Sequence, residues 1–478
     1  MGRLPALALL SVLPFAVRAQ QSTAAQGALA GRVLLAESRR DSTDADLRSA
    51  LTSSDARLRT LAQRALWRIR DPKYAARDSL PPVTPAPAYA DPAWRLRFRA
   101  LTSPKGDCAP HRTALTDSAW AVRLRAMDLV DASCASDDAL ATALTRAIDA
   151  LPADASQRGR GGVSWHAGAH ALVALARLRP ADARTRLPTR ASHTQWQVRA
   201  YTARAAAVLA DTATLRTLAR DPDDNVKEAA IEALAKLTGH ADDALYLATL
   251  NAKGAQAVRA AAAALKGSTH ADVVSAANAA FERWVARNNA SAHDARTALL
   301  AAAGRPITDD RPPTFNASVP ARAADLALGA DIRLRVTMSS ASGGGSFVVR
   351  LRGDVAPIMA ARILELANRH YYDGLTWHRI EPDFVIQGGS PGATEYIGYK
   401  DFLRDELGTI PHPRGTVGMS TRGHDTGDAQ WFVNLRDNAR LTRDYTVFGE
   451  VVEGIDVVDG VLEGDIIRKI EEITRKPH

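Results

Sequence analysis

The chain has 478 residues, of which 46% are hydrophobic, 24% charged and 5% aromatic, with 61 Lys and Arg against 53 Asp and Glu. At roughly 150 residues per domain this length allows two or three folded units, and the apolar share excludes wholesale disorder. Few aromatics beside long alanine-rich runs favour helix packing over a large β-sandwich. A net charge of +8 is mild for this length. The basic residues recur at helical spacing instead of forming a block, so charge gives no reason to expect nucleic acid as a partner.

The first residues set the compartment. Met1-Gly-Arg3 is a short positive start, Leu4 to Val17 is an apolar run, and Val17-Arg-Ala19 offers a peptidase-cleavable end. This is the pattern of a secretory signal peptide over residues 1–19, cleaved near Ala19. The alternative is an amphipathic first helix, which Pro5 and Pro14 weaken. No Cys opens the mature chain to take a lipid anchor, and no other run of about 18 apolar residues would span a membrane. The expected location is outside the cytoplasm, in the periplasm, with full secretion as the alternative. There the two cysteines, Cys108 and Cys134, are a disulfide candidate tying the ends of a helix predicted over 117–130. Two buried free thiols are the alternative; without His at ligand spacing nearby they make no zinc site.

From residue 25 to 302 a weak pattern recurs: a turn residue, often Asp, then Val/Leu-Arg, Ala three residues on, and another Ala or Leu beyond. Copies stand at Leu58-Arg59, Leu96-Arg97, Val122-Arg123, Val198-Arg199, Val226-Lys227 and Val258-Arg259. Their spacing is about 30 residues, and one gap about twice as long hides a divergent copy around Trp165–Leu178. Apolar residues at i, i+4 and i+7 give each helix one buried stripe, and alanine lets neighbours approach closely. Units of this period bury their stripes against one another, as in a solenoid. The pattern resembles HEAT-like repeats, where it marks the second helix of a unit; a non-repetitive bundle is the alternative. His166 and His170 lie four apart on a predicted helix, but no Glu between them supplies a base, so packed or solvated histidines are expected and no metal. Clustered Pro and Asp over 303–330, including Asp309-Asp310-Arg-Pro312-Pro313, read as a linker.

From residue 331 the pattern turns alternating and β-branched. Ile332–Val336 and Ser346–Leu351 read as strands joined by Gly343-Gly-Gly345, and a helix follows from Ala356 to Asn368 with Pro357 in its first turn. Those glycines lack the Lys-Ser/Thr of a phosphate loop. Further strands are predicted at Thr376–Ile380, Phe384–Gln387, Gly415–Met419, Gln430–Asn434 and Thr446–Val452. Many short strands with two helices suggest a closed antiparallel barrel.

Here the residues become specific. Asp354-Val-Ala-Pro357, then Tyr371-Tyr-Asp-Gly374-Leu-Thr-Trp-His378-Arg379-Ile-Glu-Pro382-Asp-Phe384-Val-Ile-Gln387-Gly388-Gly389, then Gly415-Thr-Val-Gly-Met419, Gln430-Trp-Phe432 and Tyr445-Thr-Val-Phe448-Gly449 occur in order. This segment, 331–475, resembles the cyclophilin family of peptidyl-prolyl isomerases. The fold class expected is therefore a multidomain chain, an all-α HEAT-like solenoid followed by a cyclophilin-like closed antiparallel β-barrel with two helices.

The chemistry follows from the residues. An X–Pro bond turns slowly because amide resonance raises a barrier of about 18–20 kcal/mol. A guanidinium is permanently charged with fixed donors, so Arg379 can hydrogen-bond the proline nitrogen or carbonyl as conjugation breaks. That is preferential binding of the twisted state, with no cofactor expected. The resemblance implies an apolar floor of Phe384, Val385, Phe432 and Leu441, and substrate backbone held by Gln387. It further implies substrate contacts from Ser420, Thr421, Gln430 and Tyr445, the last standing where many members carry His. His378 is expected to support Arg379, not to shuttle protons. Trp431 stands in place of a more usual Phe, Val385 is smaller than the common Met, and Ser420-Thr421-Arg422 replaces Ala-Asn-Ala. Arg440 stands where some members place a Trp that grips cyclosporin, so weak inhibition by that drug is expected.

One rival motif, Gly388-Gly-Ser390-Pro-Gly392, matches the G-x-S-x-G of hydrolases. Its oxyanion hole would need the N–H of the residue after the serine, and Pro391 has none. The expected partners are proline-containing polypeptides, with a possible protein partner on the solenoid and no nucleic acid or membrane span. The competing function is a proline-binding scaffold or assembly factor with little catalytic activity.

Overall fold

A computed structural model describes residues 23–70, 88–151, 164–311, 318–408 and 410–473; the predicted signal peptide lies outside them. In chain order the helices before residue 303 are α1 (Ala24–Arg39), α2 (Ala45–Leu51), α3 (Ala56–Arg70), α4 (Ala93–Ala100), α5 (Ala109–Ala114) and α6 (Trp120–Leu129). They continue as α7 (Asp138–Asp149), α8 (Trp165–Leu178), α9 (Pro180–Arg184), α10 (Leu187–Ala191), α11 (Trp196–Val208) and α12 (Thr212–Leu218). The last are α13 (Asp224–Thr238), α14 (Asp243–Thr249), α15 (Ala255–Leu265), α16 (Val273–Ala286) and α17 (His293–Ala302).

Every copy of the recurring motif falls on a helix, and these helices pack in succession, α4 on α6, α8, α11, α13, α15 and α17. A second row, α7, α10, α12, α14 and α16, flanks them. Asp at the turn position caps the following helix: Asp223 accepts from the Asn225 amide at the head of α13, leaving one fewer orphan donor. The following Arg reaches back across its own turn and forward to the next, as Arg199 does to the carbonyl of His193 and to Asp221. Cys108 and Cys134 are disulfide-bonded, with Cα atoms 5.8 Å apart on either side of α6.

The C-terminal unit is an eight-stranded sheet. Its strands are β1 (Arg333–Met338), β2 (Ser346–Leu351), β3 (Thr376–Glu381), β4 (Val385–Ser390), β5 (Thr416–Met419), β6 (Trp431–Asn434), β7 (Val447–Glu453) and β8 (Ile467–Ile473). They pair antiparallel in the order β3-β4-β6-β5-β7-β2-β1-β8. The sheet curls until its ends meet: the Trp377 amide donates to the Asp465 carbonyl at 2.9 Å and the Ile467 amide to that of Leu375 at 2.8 Å. β8 is absent from the sequence reading because its isoleucines, at 467, 470 and 473, repeat every three residues like a helix face. Pairing with β1 overrides that local preference.

Three further helices belong to this unit: α18 (Ala323–Ala327), α19 (Pro357–Asn368) and α20 (Ile455–Asp459). α19 packs nearly wholly buried against β7 and β8. Its first amides, those of Ile358 and Met359, donate to the Glu406 carboxylate at 3.2 and 2.7 Å. α18 lies within the segment predicted as a linker and packs between α1 and α19. The start of that segment is also fixed, since Asp310 accepts from the buried Arg296 at 2.6 Å.

The first three helices complete the core of the sheet unit, not that of the helical array. Ala30, Val33, Leu34, Leu58 and Leu61 share one apolar cluster with Leu334, Met359 and Val451, while residues from Cys108 to Ala302 form another. The join is polar as well. Arg68 donates to Glu37 at 2.8 Å and to the carbonyls of Leu407, Val355 and Glu406 at 2.9, 2.7 and 3.0 Å. Arg64 adds a second cation to Glu37 at 3.2 Å, which with Arg68 holds that carboxyl below its ordinary range against the opposing effect of burial. Truncating one partner of such a buried pair leaves a charge and several carbonyls unpaired. Arg68→Ala is expected to destabilise the chain by about 3–5 kcal/mol, read as a lowered urea midpoint in the full-length protein.

Candidate active site

The strand register aligns the chemistry in one row. Arg379 on β3 lies opposite Gln387 on β4, Gln387 opposite Phe432 on β6, and Phe432 opposite Gly418 on β5. A Cβ at Gly418 would come within 2.3 Å of the Phe432 ring, so glycine is what lets that ring lie flat across β5. Val385, Phe432 and Leu441 form a small apolar cluster rimmed by Phe384 and Tyr445. The Tyr445 ring stands edge-on to Phe432 at 5.7 Å, and His412 stacks on it at 6.2 Å. The result is a cup-like cluster of ring and aliphatic groups, with Arg379 5.9 Å from the Phe384 ring centroid at its rim.

Arg379 is held from within the row. Its Nη1 donates to Gln387 Oε1 at 3.4 Å, and Gln387 Nε2 donates to Gln430 Oε1 at 3.0 Å. Gln430 Nε2 in turn donates to the carbonyls of Thr394, Glu395 and Ile397. Glu381 lies 3.8 Å from the other side of the guanidinium, which stays 39% exposed and free to meet a ligand. Burial pushes the His378 ring down to about 4, so it is neutral at pH 7 and acts as packing behind Arg379. Ser420 is fixed by its amide, which donates to the Gln430 carbonyl at 2.9 Å, and Thr421 beside it is half-buried.

Sequence reasoning did not find two supporting residues, Asn438 and His412, and singled out Arg440 only for its bearing on cyclosporin. Asn438 Nδ2 donates to the Phe384 carbonyl at 3.0 Å and to Asn434 at 2.7 Å, fixing the loop that carries Leu441. Arg440 lies 4.1 Å over the Phe384 ring and flattens it against the rim. His412, in the left-handed region at φ 57°, backs Phe432. Pro411-His412-Pro413 gives no periodic signal, so only the folded chain shows it.

The other sequence candidates lie apart. Trp431 is buried on the core side against Trp377, with ring centroids 4.9 Å apart. Ser390 Oγ accepts from the Gly392 and Thr394 amides at the end of β4, with no helix behind it. His166 bonds the Glu463 carbonyl at 2.7 Å, and His170 bonds Asp128 and Tyr201 at 2.6 and 2.9 Å. Among the described residues no cluster of three or more His, Cys, Asp or Glu could hold a metal, and no helix is long and apolar enough to cross a membrane.

An antiparallel sheet curled on itself, with an arginine at the lip of an apolar cup, defines a proline-directed isomerase of the cyclophilin class. The family model described as cyclophilin type peptidyl-prolyl cis-trans isomerase matches residues 334–475. Peptidyl-prolyl cis-trans isomerase B of Bacillus subtilis is 34% identical over 129 residues, covering 27% of this chain and 90% of that protein. A Helicobacter pylori peptidyl-prolyl cis-trans isomerase is 35% identical over 130 residues, 26% of this chain and 80% of that one. A cyclophilin-type isomerase from Cryptosporidium parvum of known structure is 21% identical, covers 31% of this chain and all of that one, and superposes with a TM-score of 0.29. The chain belongs to the cyclophilin family and is a peptidyl-prolyl cis-trans isomerase.

His378 and, at about 4 as well, His412 are both kept neutral by burial. In the unfolded chain each titrates near 6.5, so between pH 6.5 and 4 the unfolded state binds the extra protons. Their contribution is full above pH 6.5 and is lost as pH falls through 4, about 3 kcal/mol for the fully buried His412. His412→Gln is expected to flatten the fall of the urea midpoint between pH 6.5 and 4; an unchanged slope would show that His412 does not titrate in this way.

Proposed function

We propose that this isomerase assists the folding of exported polypeptides, that Arg379 stabilises the twisted prolyl amide, and that the helical array within residues 25–302 is a HEAT-like solenoid presenting clients to it. The curled sheet is read as a closed barrel, with the hydrogen bonds between β3 and β8 as the support. The observation that carries the catalytic reading is the position of the Arg379 guanidinium, tethered to Gln387 yet partly exposed beside the Phe384–Phe432–Leu441 cup.

A proline ring seats in the cup through apolar burial. Gln387 keeps hydrogen-bonding capacity for the backbone beside it. When the amide is planar its nitrogen lone pair is delocalised and a poor acceptor. At the perpendicular geometry the lone pair localises on nitrogen, and Arg379 donates to it or to the adjacent carbonyl. The interaction is stronger in the twisted state than in either planar state, which is what lowers a barrier. No bond forms to the protein and no proton moves. Export rests on the sequence of residues 1–19.

The test is a proline-peptide isomerisation assay on the full chain. Arg379→Ala is expected to lower kcat/KM by about 10²–10³-fold, the scale of losing a preorganised donor. Arg379→Lys is expected to recover little, because an ammonium lacks the planar fork. A wild-type rate no faster than that of Arg379→Ala would leave a proline-binding scaffold as the function.

A further inference from the structure

Beyond the cup, the exposed part of Arg379 faces two clefts. With His378 it lines two cavities between the sheet unit and the helical array, of about 570 and 530 Å3. Both lie within the size range of ligand sites, roughly 300–1,000 Å3. The larger is walled on the array side by Trp94 and Phe98 of α4 and by Trp120 and Leu124 of α6, and on the sheet side by Ile380 and Pro382. All four array residues are only half-buried. In a chain with 5% aromatics, four of them lining one cleft, Trp94, Phe98, Trp120 and Tyr201, concentrate a scarce residue type.

The cleft is built, not incidental. Arg123 lies 4.1 Å over Trp120 and Arg95 lies 5.0 Å over Trp94, each holding its ring from another side. Arg95 is fully buried and donates to the Leu435 carbonyl at 2.6 Å and to Asp459 at 3.2 Å, fixing α4 to the sheet unit. Tyr201 of α11, which lines both cavities, donates to Glu463 at 3.0 Å. The cleft is therefore tied to both units, and its α4 and α6 rings stay half-buried, with Arg125 lying 5.1 Å over Phe98. Continuity with the cup runs through Arg379, which contacts Gln387 at 3.4 Å and stands 5.9 Å from the Phe384 ring centroid.

The geometry points to this cleft as a subsite for an apolar or aromatic side chain of the client, a few residues from the proline that Arg379 acts on. The occupant is an unfolded, proline-containing segment. Such a chain leaving the cup past Arg379 enters the cleft directly, and burying its apolar side chain against the rings removes surface from water on both partners. Array and sheet then form one composite groove, and the array acts as a specificity wall. This rests on the reading that the array faces clients.

The experiment uses the full chain and three peptides: a short one centred on Ala-Pro, a longer one flanked by Leu and Phe, and the same length flanked by Asp. In the wild type, kcat/KM for the Leu/Phe peptide is expected to exceed that for the Asp peptide by about tenfold or more, as pocket burial of one side chain provides. That ratio falls towards one in Trp120→Ala and in Trp94→Ala, two variants because either ring also packs on its own helix. A wild-type ratio near one, or a ratio kept by both folded variants, overturns the proposal. Fluorescence anisotropy of the labelled Leu/Phe peptide on Arg379→Ala protein reads the cleft without turnover. Binding weakened by adding Trp120→Ala supports the subsite even if Arg379 proves dispensable for catalysis; binding equal to that of the Asp peptide overturns it.

Discussion

The register across β3, β4 and β6 is the constraint on which the site depends. Side chains on a strand alternate faces, so a slip of one residue would turn Arg379 or Gln387 away and break the row. Three features lock it: the hydrogen-bonded ends of β3 and β8, the Gln387–Gln430 contact, and Gly418, which alone leaves room for the Phe432 ring. A flexible, charged side chain is thereby given a narrow set of positions beside an apolar cup, without a covalent or metal tether.

The helical array reaches the same row from outside. The loop that accepts from Gln430 is held by array residues. Asn225 donates to the Gly392 carbonyl, Ser291 accepts from the Gly398 amide, and the Ala290 amide donates to the Lys400 carbonyl. Arg422, beside the Ser420 and Thr421 positions, pairs with Asp294 of α17 at 2.6 Å. The helices therefore bear on the site twice, as the wall of the cleft and as the frame of the loop behind Gln430.

Much of this was legible in the sequence because the strand period and the helix period differ. The strand-like runs around Trp377 to Gln387 located β3 and β4, the resemblance of that motif to cyclophilins carried the site residues, and the Val-Arg…Ala stripe located α4, α6, α11, α13 and α15. What stayed hidden is what a stripe cannot say, namely which surface it meets. α3 carries the same motif as α13, yet α3 packs into the sheet unit. His412, Asn438 and Arg440 act through contacts set by loop shape, which no periodicity encodes. β8 was lost because isoleucines three apart imitate a helix, and α18 because Pro and Asp at its edges suggested an unstructured connection.

The shared core of α1–α3 with the sheet has a kinetic side. Chains emerge from the ribosome N-terminus first, at roughly 5–20 residues per second. Leu34 and Leu61 are made well before Met359 and Val451 of the same cluster, a lag on the order of tens of seconds. Until then these helices have only one another to pack against, and Arg68 lacks the Leu407, Val355 and Glu406 carbonyls it donates to. Completing this core thus joins segments far apart in the chain, with the whole helical array synthesised between them.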